Sequence, residues 1–379
     1  MSLEWIEGVP ADWHISKAQF VLDYQKRDVQ EDDEIVTAFR DGQVTLRRNR
    51  RTDGFTMAEK EIGYQHICEG DLVVHSMDGG FGAIGVSDSC GKASPVVHAY
   101  TSSLCDLRFV AYQLRAAVKA GWIAALAKGI RVRSTQFDRP ALASLNIAYP
   151  TVETQQRIAD YLDRETAEID AAVADLDRYV ELLNVKLESA SREVFTELSA
   201  NHPLIQTKFL VDITTGSGDT QDSQENGGFP FYVRSDTIQR AEDFEFDCDA
   251  VLTSGDGAGV GKIFHLAGGK FKAHQRVYVM HNFKRVSPQY FYWMFKSAFP
   301  DAIRYGGAKS TVDSVRRPMI ANLKIPVPDH DAQEKASKRI EKLHHEVSAL
   351  IAKSTKLRDL LLKRRSVLIT EVVTGRKQV

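Results

Sequence analysis

The sequence has few cysteines and no long apolar run. Cys68, Cys90, Cys105 and Cys248 form no Cys-x-x-Cys pair, and none has a histidine at zinc-finger distance. We therefore expect reduced structural thiols. No segment approaches the roughly 20 apolar residues that a membrane-spanning helix needs. The amino terminus lacks the basic start and apolar core of a signal peptide, so the expected location is the cytoplasm, with no membrane contact.

Motifs of catalysis are also missing. The chain has no His-Glu-x-x-His, no Gly-x-Ser-x-Gly and no Asn-Pro-Pro-aromatic tetrapeptide of adenine-methylating enzymes. The spacing Gly80-x-Gly82-x-x-Gly85 matches a bare dinucleotide fingerprint, but a poor helix follows it. The sequence therefore indicates a recognition role without catalysis, and neither a metal site nor a cofactor is predicted in this chain.

Net charge is close to zero, which argues against a simple polycationic nucleic-acid binder. The 379 residues carry a formal charge of −2, and their 43% hydrophobic content is typical of a globular protein with two or three domains. Charge is unevenly distributed, however. Residues 151–198 carry 12 acidic and 5 basic side chains, whereas residues 329–379 carry 7 acidic and 12 basic ones. Two segments of opposite charge are suited to pack against each other.

The chain resembles itself at an offset of 178 residues. Pro140 falls on Pro318 and Gln155 on Gln333 within the longest match. The same offset places Asp71 on Asp249, Ser76 on Ser254 and Asp78 on Asp256, next to glycine-rich turns. A period this long excludes a solenoid and predicts two copies of a domain-plus-helix unit.

Each copy ends in a long amphipathic segment. Apolar residues recur there at steps of three, four or seven, which is typical of one continuous helical stripe. A rod of nearly 50 residues would reach about 70 Å at 1.5 Å per residue. We expect the two rods to pair as an antiparallel coiled coil. The candidate pairing residues are Ile158, Leu162, Ile169, Val173, Leu176, Val180, Leu183 and Leu187 in the first helix, and Ile340, Leu343, Val347, Ile351, Leu357, Leu361 and Leu368 in the second; Ser354 and Arg365 interrupt the second stripe.

The remaining segments predict globular domains. Short β-like runs alternate with glycine-rich turns and helical patches, so the predicted fold class is mixed α/β (α+β). The expected boundaries are residues 1–150 and 201–328 for two globular domains, with helices over residues 151–200 and 329–379.

Basic residues cluster within both globular segments. Any single cluster is more often a solvated face, but recurrence near the repeated glycine turns favours contacts with DNA phosphates and base edges. The candidate DNA-binding residues are Arg47, Arg48, Arg50, Arg51, Ser76, Asp78, Lys128, Arg131 and Arg133 in the first segment, and Ser254, Asp256, Lys270, Lys272, His274, Arg276, Arg304 and Lys309 in the second.

At the level of motifs, the chain resembles the DNA-specificity subunits of type I restriction-modification enzymes. The segments LNIAYPTVETQQRIADYL and LKIPVPDHDAQEKASKRI are similar to the strand, proline, glutamine and helix signature of that family. The carboxyl-terminal LLLKRRSVLITEVVTGRKQV is similar to the family's usual ending. The resemblance covers the whole chain.

This resemblance implies a non-catalytic subunit with two target recognition domains. Each domain would bind half of a split, asymmetric site in double-stranded DNA, and the paired helices would fix the gap. Two methyltransferase subunits and the restriction subunits would be its partners. S-adenosylmethionine, ATP and Mg²⁺ would be used by those partners.

Two alternatives remain open from the residues alone. One is the specificity chain of a related system that only methylates, or that cuts near its site as type II-like enzymes do. The other, from a different class, is a coiled-coil scaffold that does not bind DNA.

Overall fold

A computed structural model describes residues 6, 8–50, 61–123, 137–306 and 314–379. The chain divides into two compact units. The first comprises Met1–Leu176 with Lys356–Val379, and the second comprises Asp177–Thr355. Among the described residues, no helix combines the length and the apolar character needed to cross a membrane.

Each unit holds a mixed α/β domain. In the first unit the elements are β1 (His14–Lys17), β2 (Asp23–Gln25), β3 (Val36–Ala38), β4 (Val44–Leu46), β5 (Gln65–Ile67), β6 (Leu72–His75), β7 (Ile84–Val86), β8 (Gly91–Ala93), β9 (Val97–Thr101), α1 (Leu107–Lys119), α2 (Arg139–Ser144) and β10 (Asn146–Tyr149). The helix α3 (Val152–Asn201) begins in this unit and ends in the second.

The second unit repeats this plan. Its elements are β11 (Leu204–Gln206), β12 (Asp212–Thr215), β13 (Phe229–Tyr232), β14 (Gln239–Ala241), β15 (Phe246–Asp247), β16 (Ala250–Ser254), β17 (Phe264–Ala267), β18 (Lys270–Ala273), β19 (Val277–His281), α4 (Pro288–Gly306), α5 (Arg317–Ala321) and β20 (Lys324–Pro326). The helix α6 (His330–Val373) follows and ends in the first unit. The predicted mixed α/β class with two long helices is confirmed.

The strand order is the same in the two sheets that form the domain centres. The first unit has the order β2-β9-β6-β7, and the second has β12-β19-β16-β17, in both cases with antiparallel pairing. A small pair precedes each long helix, β1 with β10 and β11 with β20. The internal repeat of the sequence is therefore a repeat of topology.

Both faces of each central sheet are covered. Leu72 and Val74 pack with α1, whereas Val73 packs towards the β3–β4 side. In the second unit Val251 packs with α4, and Leu252 faces the sheet that contains β18. Because neither face of the central strand meets water, its sequence is a continuous apolar run and not an alternating one.

The constant offset of 178 residues is wrong within the central strands. The Ser76 N–H donates to the carbonyl before β9, at Val96, and the Gly255 N–H donates to the carbonyl before β19, at Arg276. Ser76 therefore corresponds to Gly255 and not to Ser254. A shift of one residue moves a side chain to the opposite face of a strand, so the packing contacts fix this register more strongly than sequence identity does.

In the first unit, α3 and α6 run antiparallel. Ile158, Leu162 and Ile169 share one buried cluster with Leu368 and Val372. The ion pair between Asp170 and Arg365 closes the edge, with 3.0 Å from Nη2 to Oδ2. Lys377 Nζ, just beyond the end of α6, lies 2.9 Å from Tyr161 Oη, so earlier residues of α3 contact later residues of the α6 segment.

The second unit contains the other halves of the same helices. Val194 packs with Ala336 and Ile340 in the domain core. Arg339 Nη1 donates to Glu197 Oε2 over 3.1 Å, which again joins the acidic helix to the basic one. Of the remaining candidate pairing residues, Leu183 and Val347 are buried, and Val173, Leu176, Val180, Leu187, Leu343, Ile351 and Leu361 are half-buried.

The expectation that Leu357 belongs to the apolar stripe of α6 is wrong, because its side chain is 49% exposed. Ser354, taken from the sequence as an interruption, is buried instead. Positions 347, 351, 354, 358, 361, 365, 368 and 372 advance by steps of three and four, so Ser354 and Arg365 are in phase and Leu357 is not. The heptad phase therefore decides which side chain is covered, more than hydrophobicity does.

A buried glutamine joins each domain to the start of its long helix. Gln155 is 0% exposed; its Oε1 accepts from the backbone N–H of Asp106, and its Nε2 donates to the carbonyls of Pro150 and Leu104. Asp106 is the N-cap of α1, whose side chain accepts from Arg108 N–H and Phe109 N–H. The amide therefore ties the cap of the domain helix to the first turn of α3.

Gln333 makes the same three bonds in the second unit. Its Oε1 accepts from Ser287 N–H at 3.0 Å, and its Nε2 donates to the carbonyls of Pro328 and Arg285. Ser287 Oγ in turn accepts from Tyr290 N–H in the first turn of α4. Here the offset of 178 residues holds in three dimensions as well as in the sequence. We call Gln155 and Gln333 the glutamine clamps.

Replacing a clamp should be costly. Gln155→Ala leaves the buried Pro150 carbonyl and the partly buried Asp106 N–H and Leu104 carbonyl without this partner, and an unpaired buried group costs about 1–3 kcal/mol. We expect the free energy of unfolding to fall by about 3 kcal/mol, measured by urea titration of the full chain. Gln156→Ala is the matched control, because Gln156 is exposed on the same helical turn. Equal stability of the two variants would contradict a structural role for the clamp.

Candidate functional site

The turn after the central strand carries an aspartate that holds arginine side chains. In the second unit Arg234 Nη1 donates to Asp256 Oδ1 over 2.9 Å, and Arg276 Nη1 donates to Asp256 Oδ2. Both guanidinium groups are exposed, whereas the carboxylate is mostly covered. Ser254 Oγ donates to the Asp256 carbonyl over 2.9 Å and fixes the turn.

The electrostatic balance favours the ionised form of Asp256. Burial of the carboxyl group acts to raise its pKa, but hydrogen bonds and charge from Arg276 and Arg234 outweigh this effect and hold the pKa below its usual value. Asp219 also faces this turn, with its Oδ1 3.7 Å from His274 Nε2 and its charge acting on Arg276, so two cations and two anions leave the turn close to neutral. Each guanidinium group has five N–H donors, so both retain free donors beyond the carboxylate.

His274 lies beneath this turn and is 4% exposed. Burial, followed by the charge of Arg234, lowers its pKa. Its Nδ1 accepts from the backbone N–H of Arg276 over 3.1 Å. His274 therefore acts as a neutral support for Arg276 and not as a surface cation.

Arg234, Asp256 and His274 line a cleft of about 330 Å³ in the second unit. Its lining comprises Thr220, Val233, Arg234, Ser235, Gln239, Asp256, Gly257, Gly259 and His274. A Cβ at Gly259 would lie 2.8 Å from the Arg234 carbonyl, so this glycine lets the turn approach the segment that carries Arg234. We call this the Asp256 cleft.

The first unit has a related arrangement with a single arginine. Arg40, at the tip of the β3–β4 hairpin, donates from Nη2 to Asp78 Oδ1 over 2.8 Å. Its guanidinium group also lies 4.9 Å from the centre of the Phe81 ring. The Asp78 N–H donates to Nδ1 of His75, whose pKa is lowered by burial. Given the register above, Asp78 and Asp256 lie at neighbouring positions of the turn and not at equivalent ones.

The arginine cluster after β4 is exposed and paired with carboxylates. Arg48 contacts Glu34, and Arg50 Nη1 donates to Asp41 Oδ2 over 2.6 Å while covering the Phe39 ring. Arg47 Nε donates to Thr37 Oγ1 over 3.3 Å. Surface pairs of this kind are weak, so the guanidinium groups can exchange a carboxylate for a phosphate.

The structure separates the remaining candidates into surface and internal groups. Lys270 lies over the Phe244 ring, Arg304 is exposed beside Asp301, and Ser76 is half-buried after β6.

Two other candidates are mostly buried and bond within the domain. Lys272 is only 11% exposed and forms ion pairs with both Asp222 and Asp243, so it is not a phosphate contact. Ser254 is likewise buried and bonds within its own turn. Arg51, Lys128, Arg131, Arg133 and Lys309 lie outside the described residues.

Sequence reasoning missed Arg40, Arg234 and Gln239. Each stands apart from the basic clusters, and the partners of the two arginines are distant, 38 residues away for Arg40 and 22 for Arg234. The available signal was only a charged residue beside a turn, which is too common to select a site. In the described parts of the chain, no group of three or more His, Cys, Asp or Glu residues is placed to hold a metal ion.

Known proteins share both sequence and fold with this chain. Residues 208–357 match the family model of the type I restriction modification DNA specificity domain. The type I restriction enzyme EcoDI specificity subunit of Escherichia coli is 24% identical over 166 residues, which are 44% of this chain and 36% of that protein. The match thus spans about a third of the relative's length.

Two solved structures have similar folds. One, described as the structural basis of complex assembly and conformational transition of the type I R-M system, has a TM-score of 0.73 at 14% identity and covers 96% of this chain and 98% of its own. The other, the HsdS subunit from Thermoanaerobacter tengcongensis, has a TM-score of 0.53 at 13% identity, with 97% and 98% covered. The resemblance inferred from the sequence is thereby confirmed.

Proposed function

We propose that this chain, whose residues 208–357 match a type I restriction-modification DNA specificity domain, is the non-catalytic subunit that reads DNA for such a complex. The observation that carries the proposal is that, in both units, an aspartate on the turn after the central strand holds an arginine from another segment. Arginines fixed in this way present N–H donors at a defined position, as recognition of phosphates and base edges requires.

The DNA site would have two different halves. The first unit pairs one arginine with Asp78, beside an aromatic ring, whereas the second pairs two with Asp256 in a cleft. Domains with the same topology and different contact groups would select different base sequences. This difference supports a bipartite, asymmetric site in double-stranded DNA.

The long helices would set the gap between the half-sites. Each glutamine clamp ties one domain to the start of one helix, and the helices run antiparallel in the first unit and pack against each other in the second. A continuous helix of 50 residues, such as α3, transmits a fixed length because its backbone bonds are all internal.

Other subunits would supply the chemistry. Apolar side chains are exposed on the long helices away from the buried stripe, including Leu182 and Val185 on α3 and Leu357 and Leu360 on α6. Exposed apolar groups on a helix are suited to a partner protein. We assign them to methyltransferase and restriction subunits, which would use S-adenosylmethionine, ATP and Mg²⁺. The complex would act in the cytoplasm, where it meets DNA.

Methylome sequencing tests the proposal directly. A host that carries this chain with its methyltransferase subunit should show methylation at one split motif, and a host that carries the methyltransferase alone should not. Absence of a motif, together with no shift of DNA by the assembled complex in a gel, would favour a scaffold that does not bind DNA.

The proposal that the paired helices set the gap between the half-sites makes a specific prediction. One heptad inserted after Leu176 and one after Arg358 add about 10 Å of helix and keep the stripe in phase. These positions face each other, because Asp170 pairs with Arg365 six residues away on each helix. The gap between the half-sites should grow by about three base pairs at 3.4 Å each, with the half-sites unchanged.

Single insertions control for disruption of the coiled coil. A heptad placed only after Leu176 lengthens one helix against an unchanged partner, so the pairing is lost and methylation should fall. Selection of bound DNA with randomised spacers measures the gap. A folded, active double insertion with the original gap would show that the helices do not set the spacing.

The arginine cluster after β4 predicts a salt effect. If Arg48 and Arg50 bind phosphates, replacing both with glutamine removes about two contacts, so the slope of log K against log salt should fall by about two for all DNA sequences alike. The matched control replaces Lys338 and Lys342, two exposed lysines on α6, and should keep the slope. An equal fall in both variants would assign the effect to net charge alone.

A further inference from the structure

The Asp256 cleft contains an acceptor without a donor. Gln239, on β14, lines the cleft, and its Oε1 is buried with no hydrogen-bond partner among the described residues. Its backbone pairs with Phe231, a fully buried residue of β13, so the strand that carries the amide is anchored in the core. A buried acceptor without a partner is unfavourable, and a rotation of the partly exposed amide that presents Oε1 to a donor in the cleft would remove this cost.

The amide of glutamine combines an acceptor and a donor at fixed spacing. Adenine presents the complementary pair in the major groove, with the N6 amino group as donor and N7 as acceptor. Guanine presents two acceptors, O6 and N7, which match the parallel N–H groups of arginine. The cleft offers both kinds of group, since Arg234 and Gln239 line it and Arg276 shares the carboxylate of Asp256.

The charges in the cleft disfavour phosphate as the ligand. Asp256 stays ionised, because its two arginines hold its pKa low, and an anion beside it would be repelled. The arginine donors nearest the carboxylate are already used, and His274 is neutral. An uncharged ligand with its own donors and acceptors, such as a base edge, suits this balance better.

We propose that the Asp256 cleft is the base-reading site of the second recognition domain, with Gln239 reading an adenine and the arginines held by Asp256 reading an adjacent guanine. Asp256 and His274 are positioning residues that orient the guanidinium groups. This inference rests on the proposed function, because it assigns the bases that the second half-site contains. The first unit pairs one arginine with Asp78, so its half-site would be read by different contacts.

Substitution at Gln239 tests the assignment. DNA with a randomised second half-site is selected with the assembled complex of this chain and its methyltransferase subunits. The wild type should require adenine at one position, and Gln239→Ala should relax that preference about tenfold or more, leaving the other positions unchanged. Gln239→Glu is nearly isosteric and replaces the donor with an acceptor, so the preferred base there should become cytosine, which offers its N4 donor.

The arginines give a second measurement. Arg234→Ala and Arg276→Ala should relax a guanine preference next to the adenine position and keep the adenine. Gln224→Ala is the matched control, since Gln224 is an exposed glutamine of the same domain outside the cleft lining, and it should leave every preference intact.

The possible outcomes separate the two proposals. An unchanged adenine preference in both Gln239 variants, or a uniform loss of affinity with the preference kept, would overturn the assignment while the specificity function stands. A wild-type complex that selects no sequence at all would overturn the proposed function, and this inference with it.

Discussion

The glutamine clamp is the interaction on which the rest of the structure depends. A recognition domain and a long helix could be joined by any flexible linker, but a linker would not fix their orientation. Gln155 and Gln333 instead satisfy three backbone groups each, in a buried setting where an unsatisfied group is expensive. The clamp therefore holds the domain against the helix in two ways. Its hydrogen bonds are favourable, and a shift of the domain relative to the helix would leave backbone groups without partners. One of the three groups in each clamp is the carbonyl of the proline that precedes the helix, Pro150 or Pro328.

A similar principle applies to the aspartates that hold the arginines. An arginine on a loop loses side-chain entropy when it binds a ligand, which weakens the contact. Asp256 fixes Arg234 and Arg276 before any ligand arrives, and Asp78 fixes Arg40. Under the proposed function, a carboxylate at a turn that meets DNA would be compatible with binding of a polyanion, because it positions cations and does not face the phosphate. The sequence alone suggested these aspartates as contacts, whereas the geometry makes them supports.

Much of the fold could be predicted because it depends on local periodicity. The long helices lie within one or two residues of the expected start, since three-to-four spacing and a preceding proline are readable in one segment. The burial of Ser354 and the exposure of Leu357 could not be read from hydrophobicity, because the partner helix sets the phase. The sequence comparison also did not predict the one-residue difference in alignment between β6 and β16, because packing against α1 or α4 fixes the register. The pairing of Arg40 with Asp78 joins distant segments, so no short pattern contains it.

The internal duplication explains why the framework of the fold could be predicted from the sequence and the contact groups on the turns could not. Three features recur in both units: the strand order of the central sheet, the glutamine clamp and the long helix. Each copy needs them because each domain must be held in a fixed orientation on its helix. The contact groups on the turns differ, with one arginine in the first unit and two beside a free amide in the second. Under the proposed function, identical turns would give identical half-sites and a symmetric DNA site. The different contact groups would let each unit select its own sequence, while the central strand order, the clamps and the long helices are common to both units.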